Sequence, residues 1–136
     1  MTRQAIQTNG APAALGPYSQ GIRSGDLVFC SGQLGLDPTT GEMADGVEAQ
    51  AERSLRNLLS VLDAAGLSFD DVVKTTIFLA DVNDFAAVNA VYAKFMPEPP
   101  PARSTIGVGG LPKGALIEIE AIARRPLPDA VPVSRG

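Results

Sequence analysis

The chain has 136 residues, enough to bury the core of one domain and too few for two ordinary ones. Hydrophobic residues make up 45% and charged residues 19%, the balance of a soluble globular protein and not of a disordered one. A net charge of −4, no Trp and no Lys/Arg cluster beyond Arg124-Arg125 argue against a nucleic-acid partner, and no stretch reaches the roughly 18 apolar residues of a membrane span.

Arg3 to Gln7 suits a short first strand, and the Pro- and Gly-containing stretch Asn9 to Tyr18 a loop. Gly21 to Ser24 and Leu27 to Gln33 read as a β-hairpin turned at Gly25-Asp26. Cys30, in its second strand, has no cationic neighbour in sequence to activate it and reads as a small buried hydrophobe. Asp37 to Gly41 is a turn. Val47 to Ala65 predicts a long helix, because Val47, Ala51, Leu55, Leu58, Leu62 and Ala65 recur at spacings of three and four. Glu52, Arg53, Arg56 and Asp63 form its solvated face, Asp45 followed by Glu48 suits its start, and Gly66 suits its end.

Asp71 to Ala80 is rich in β-branched residues and predicts a central strand, with Lys74 holding its ammonium in water. Asn83 to Met96 predicts a second helix, with Phe85, Val88, Tyr92 and Phe95 as its buried stripe and Pro97 as its stop. Arg103 to Val108 and Ala115 to Arg124 then read as a second hairpin around a loop of Gly, Pro and Lys. Along its second strand Ile117, Ile119, Ala121 and Ala123 share one face, and Glu118 and Glu120 the other. Pairing across the loop would bring Arg103 and Thr105 to the glutamate side. Periodicity is lost from Pro126 to Gly136, which reads as a flexible tail after a single domain at 1–125.

Strands, helix, strand, helix and strands in that order predict an α+β domain in two layers, one sheet of about six strands with two helices on one face. The other face needs cover, which a partner subunit would supply.

The chain has no histidine, so Ser-His and Cys-His nucleophiles and histidine-bearing metal sites are excluded. A single cysteine makes neither an internal disulfide nor a thiolate cage, and acid–base work falls to Asp, Glu, Tyr, Lys or water. The cysteine usage and the polar N-terminus suit a cytoplasmic location. Arg103 offers a planar fork for bidentate capture of a carboxylate, or for a structural ion pair with Glu118 or Glu120. Glu118 is a general base with a pKa raised by burial and by Glu120, or one of two solvated carboxylates. Tyr18 either reaches a pocket from its loop or packs over the sheet edge. Asn89 lies off the apolar stripe of its helix and reads as a solvated polar residue. Gly32 lets backbone approach a ligand, and Ser31 and Thr105 offer hydroxyls.

Pro-Ala-Arg-Ser at 101–104, Leu-Pro-Lys-Gly at 111–114 and Ile-Glu-Ile-Glu-Ala-Ile-Ala at 117–123 resemble the signature of the Rid family, the YjgF-type reactive intermediate deaminases. Gly-Pro-Tyr-Ser-Gln-Gly at 16–21, Ser-Gly-Gln at 31–33, Val-Lys-Thr-Thr-Ile-Phe at 73–78 and Asp-Phe-Ala-Ala-Val-Asn-Ala-Val-Tyr at 84–92 occur in the family order. The resemblance covers roughly residues 3 to 124 and is strongest to the RidA branch, the 2-iminobutanoate/2-iminopropanoate deaminases.

The resemblance implies a chorismate-mutase-like fold, a homotrimer with clefts between subunits, and hydrolysis of small 2-imino acids and enamines without a cofactor. It implies that Arg103 anchors the substrate carboxylate, Glu118 orders the attacking water, Tyr18 sits at the cleft and Asn89 borders it. Thr105 departs from the cysteine that many RidA members carry, and the connection before Pro101 is short for the family. A non-catalytic protein that binds 2-oxo acids in the same cleft is the alternative. A ribonuclease, an activity attributed to some members, fits the acidic charge and the lack of histidine less well.

Overall fold

The computed structural model describes residues 2–126. The expected tail, 126–136, lies outside the described residues apart from Pro126. Three antiparallel strands come first: β1 (Gln4–Ile6), β2 (Gly21–Ser24) and β3 (Leu27–Leu34), with the β2–β3 turn at Gly25-Asp26 as the sequence predicts. Helix α1 (Val47–Ala64), strand β4 (Val72–Leu79), helix α2 (Phe85–Ala93), strand β5 (Ala102–Gly107) and strand β6 (Ile117–Arg124) follow. The described strands form one six-stranded sheet in the order β1-β2-β3-β6-β4-β5.

The core lies between one sheet face and the helices. Leu55, Leu58 and Leu62 of α1 meet Ile77 and Leu79 of β4 and Ile117 and Ile119 of β6, all fully buried. Each such side chain contributes about 1.5–3 kcal/mol of burial. Cys30 and Ala121 join this face, and burial pushes the Cys30 thiol up to about 12. The opposite face leaves Leu27, Phe29 and Ile106 exposed beside Glu118 and Glu120.

Two polar side chains buried on α1 tie the helix to the strands that matter later. Gln50 Oε1 accepts the Leu116 backbone N–H at 2.8 Å, just before β6, and Asn57 Nδ2 donates to the carbonyls of Leu34 (3.0 Å), the last residue of β3, and Leu36 (2.9 Å), just beyond it. No side chain caps the start of α1, so Asp45 does not play the expected part. Its end is as expected: Gly66 takes φ 77°, its N–H donates to Asp63 O at 2.9 Å, and Leu67 N–H donates to Leu62 O at 2.8 Å.

The second hairpin does not form. β5 pairs with β4, in parallel, and β6 lies between β3 and β4, antiparallel to both. The reason is the helix between β4 and β5, which carries the chain back to start β5 in the same direction as β4. The long connection after β5 then passes β4 and places β6 in the gap beside β3. Opposed residues in a sheet share a face, and the row Arg103–Thr75–Ala121 points toward the helices. Arg103 and Thr105 are therefore on the face opposite Glu118 and Glu120, not on the same one.

Candidate active site

Glu118 stands on the helix-free face of β6, where β3 runs beside it with a break in register between Cys30 and Gln33. Ser31 and Gly32 fill that bulge. A Cβ on Gly32 would lie 2.8 Å from Glu118 Cδ, so glycine lets the strand pass against the carboxylate. Burial raises the Glu118 pKa above the usual carboxylate range, and the Glu120 charge raises it further.

The loop that carries Tyr18 is strapped to this bulge. Ser31 Oγ donates to Ser19 O at 2.6 Å, and Ser31 N–H donates to Gln20 O at 2.9 Å. The buried Gln20 amide holds the loop from within: Nε2 donates to Thr8 O, Ala11 O and Pro12 O, and Oε1 accepts from Thr8 N–H. Tyr18, Gly32, Leu34, Lys113 and Glu118 line one cleft of about 530 Å³. Tyr18 is 55% exposed, so its ring lines the cleft and is not packed away over the sheet edge.

Arg103 belongs to a second cleft, of about 400 Å³, lined by Asn89, Tyr92, Met96, Pro101 and Arg103. Its guanidinium carbon lies 4.9 Å from the Tyr92 ring centre and 5.4 Å from that of Phe85. Among the described residues no carboxylate is within salt-bridge distance of it, so the ion pair with Glu118 or Glu120 does not form. The Tyr92 hydroxyl shares a 2.6 Å hydrogen bond with Thr75 Oγ1; burial raises the Tyr92 pKa, with Thr75 and the Arg103 charge opposing. Thr105 Oγ1 is buried without a hydrogen-bond partner among the described residues.

One chain thus collects the candidate residues into two groups on opposite sheet faces: Tyr18, Ser31, Gly32 and Glu118 on one, and Asn89, Arg103 and Thr105 on the other. The sequence reading missed the rings under Arg103. Phe85 is 42% exposed instead of buried, because it opens α2 beside β5 and lies against the guanidinium. The signal was present, since Phe85 and Tyr92 are seven residues apart on one helix face. Lys74 Nζ donates to Ser104 Oγ at 2.9 Å on the open face, away from Arg103. Among the described residues no three Cys, Asp or Glu side chains come close enough to hold a metal ion, and no helix is long and apolar enough to cross a membrane.

The family model described as Endoribonuclease L-PSP matches residues 8–125, nearly all of this architecture. The chain belongs to the YjgF/Rid family. This Rid protein is 52% identical over 125 residues to the 2-iminobutanoate/2-iminopropanoate deaminase of Salmonella typhimurium, covering 90% of the chain and 98% of that relative. The crystal structure of RidA from the Antarctic bacterium Psychrobacter matches with TM-score 0.87 and 48% identity, over 89% of this chain and 98% of that one. Escherichia coli TdcF, solved with bound serine, matches with TM-score 0.87 and 47% identity, over 90% of this chain and 99% of that one. The six-stranded mixed sheet with two helices is thus the α+β fold of RidA proteins.

Proposed function

We propose that this Rid protein is a cytoplasmic homotrimeric enzyme that hydrolyses 2-imino acids and their enamine tautomers, such as 2-iminobutanoate and 2-aminoacrylate, to 2-oxo acids and ammonia. The observation that carries the reading is the 52% identity, over nearly the whole chain, with a protein named for that reaction. The geometry agrees with what the reaction needs. Arg103 has a donor fork with no carboxylate on it and takes the substrate carboxylate. Glu118, made more basic by burial, holds a water beside C2.

Water adds to the iminium carbon as Glu118 takes its proton. That proton is returned to nitrogen, the C–N bond breaks, and ammonia leaves. The remaining hydroxyl proton passes to solvent as the C2 carbonyl forms. Addition of water and loss of ammonia involve no net oxidation, so the reaction asks for no cofactor. Tyr18 and Gly32 border the cleft on the water side, with Ser31 behind them, and Asn89 borders it on the carboxylate side, with Thr105, whose hydroxyl is buried, two residues along β5 from Arg103. The two sides are on opposite faces of one chain, so the site is completed where two copies of the trimer meet.

A pyridoxal-phosphate threonine dehydratase that generates 2-iminobutanoate in place tests the reading. The early release of 2-oxobutanoate is accelerated by the wild type and not by Arg103→Ala. No acceleration by the wild type, with this substrate or with 2-aminoacrylate, overturns it. A second reading, a non-catalytic carboxylate-binding protein, is favoured by the serine in TdcF. Glu118→Gln separates the two, because it keeps carboxylate binding and loses turnover only in an enzyme. The family description as an endoribonuclease is tested by RNA cleavage that survives purification and disappears in Arg103→Ala.

A further inference from the structure

Arg103 is a cation held by rings in place of an anion. Tyr92, only 6% exposed, is locked from below by its 2.6 Å hydrogen bond to Thr75, the β4 residue directly opposite Arg103. Phe85 approaches the same guanidinium and is itself 42% exposed. An aromatic face attracts the positive charge without occupying its N–H donors as a carboxylate would. The fork is left free while the long side chain is restrained.

We infer that Phe85 and Tyr92 are positioning residues, whose rings hold the Arg103 guanidinium with its fork preset for a carboxylate. The inference rests on the proposed role of Arg103. An unrestrained arginine loses rotamer freedom each time it binds an anion, and a held one has lost it already. The carboxylate contact is the same in bound substrate and transition state, so the cradle acts on affinity and KM and leaves kcat in place. Phe85 is the half of the cradle that can be removed without opening the core.

The test is titration with 2-oxobutanoate by calorimetry, alongside deaminase kinetics, for wild type, Arg103→Ala, Phe85→Leu and Phe85→Tyr. Phe85→Leu is expected to weaken binding and raise KM about three- to tenfold, with kcat, thermal midpoint and gel-filtration volume at wild-type values. Phe85→Tyr, which restores a ring, returns both constants to wild type. Tyr92→Phe, which keeps its ring and loses the Thr75 bond, lies between wild type and Phe85→Leu. Unchanged affinity in Phe85→Leu, or weakened affinity that Phe85→Tyr does not restore, overturns the inference. So does wild-type affinity in Arg103→Ala, or no binding to the wild type. Binding with the expected order of variants but no turnover by the wild type overturns the deaminase reading alone and leaves the cradle standing.

Discussion

Arg103 and Glu118 stand on opposite faces of one sheet, with β4 between their strands. No rotamer brings the guanidinium donor fork and the Glu118 carboxylate together through a buried layer, so a substrate that touches both lies between two copies on the proposed reading.

Complementation follows from that separation. Arg103→Ala and Glu118→Gln are each inactive as pure proteins. Co-expressed and co-purified through two different tags, they form mixed assemblies in which some sites take Arg103 from one variant and Glu118 from the other. Each mixed trimer holds one intact site in three, so about a third of wild-type activity is expected. Mixed oligomers with no recovered activity would show that the two residues act within one chain or not at all.

The pH profile reports on the Glu118–Glu120 pair. On the proposed reading Glu118 works as the carboxylate, and its pKa is raised first by burial and then by Glu120. Activity is therefore lost as pH falls through a value above the ordinary glutamate pKa. Glu120→Gln removes the like charge, so the acid limb moves to lower pH. The sign for stability is opposite: the folded state favours the protonated Glu118, and its contribution weakens as pH rises through the window between the unfolded and the raised folded pKa. An acid limb that stays in place in Glu120→Gln, measured on kcat/KM, would remove Glu120 from the account.

Gly32→Ala tests the contact in the β3 bulge. The added Cβ meets Glu118 Cδ at 2.8 Å, the far end of a flexible side chain, so the carboxylate swings aside and the backbone stays. The cost in stability is small, below about 1 kcal/mol by chemical denaturation, since no buried group is stranded. On the proposed role of Glu118 the cost in rate is at least about tenfold, because displacement of the base by an ångström is felt directly. A variant with full activity would place the Glu118 carboxylate elsewhere during turnover.

Much of this was legible without coordinates. The alternation of Ile117 and Ile119 with Glu118 and Glu120 gave the two faces of β6 correctly, and the three-and-four spacing of Leu55, Leu58 and Leu62 gave the buried side of α1. The motifs around Tyr18, Gly32, Arg103 and Glu118 named the family. What failed was the neighbour of β5. Arg103 and Glu118 are close in the chain with a turn-rich loop between them, and that pattern describes a hairpin as well as it describes two strands with a third inserted.

The sequence by itself determined which face of β6 and which side of α1 is buried, because periodicity is a property of one strand or helix and survives into any sheet. Only the tertiary structure decided that β4 separates β5 from β6, that Arg103 therefore turns toward α2, and that Phe85 and Tyr92 receive it. Strand neighbours are chosen by where the helices return the chain and by what the sheet can bury against them. Those energies are shared among residues far apart in sequence and leave no local trace.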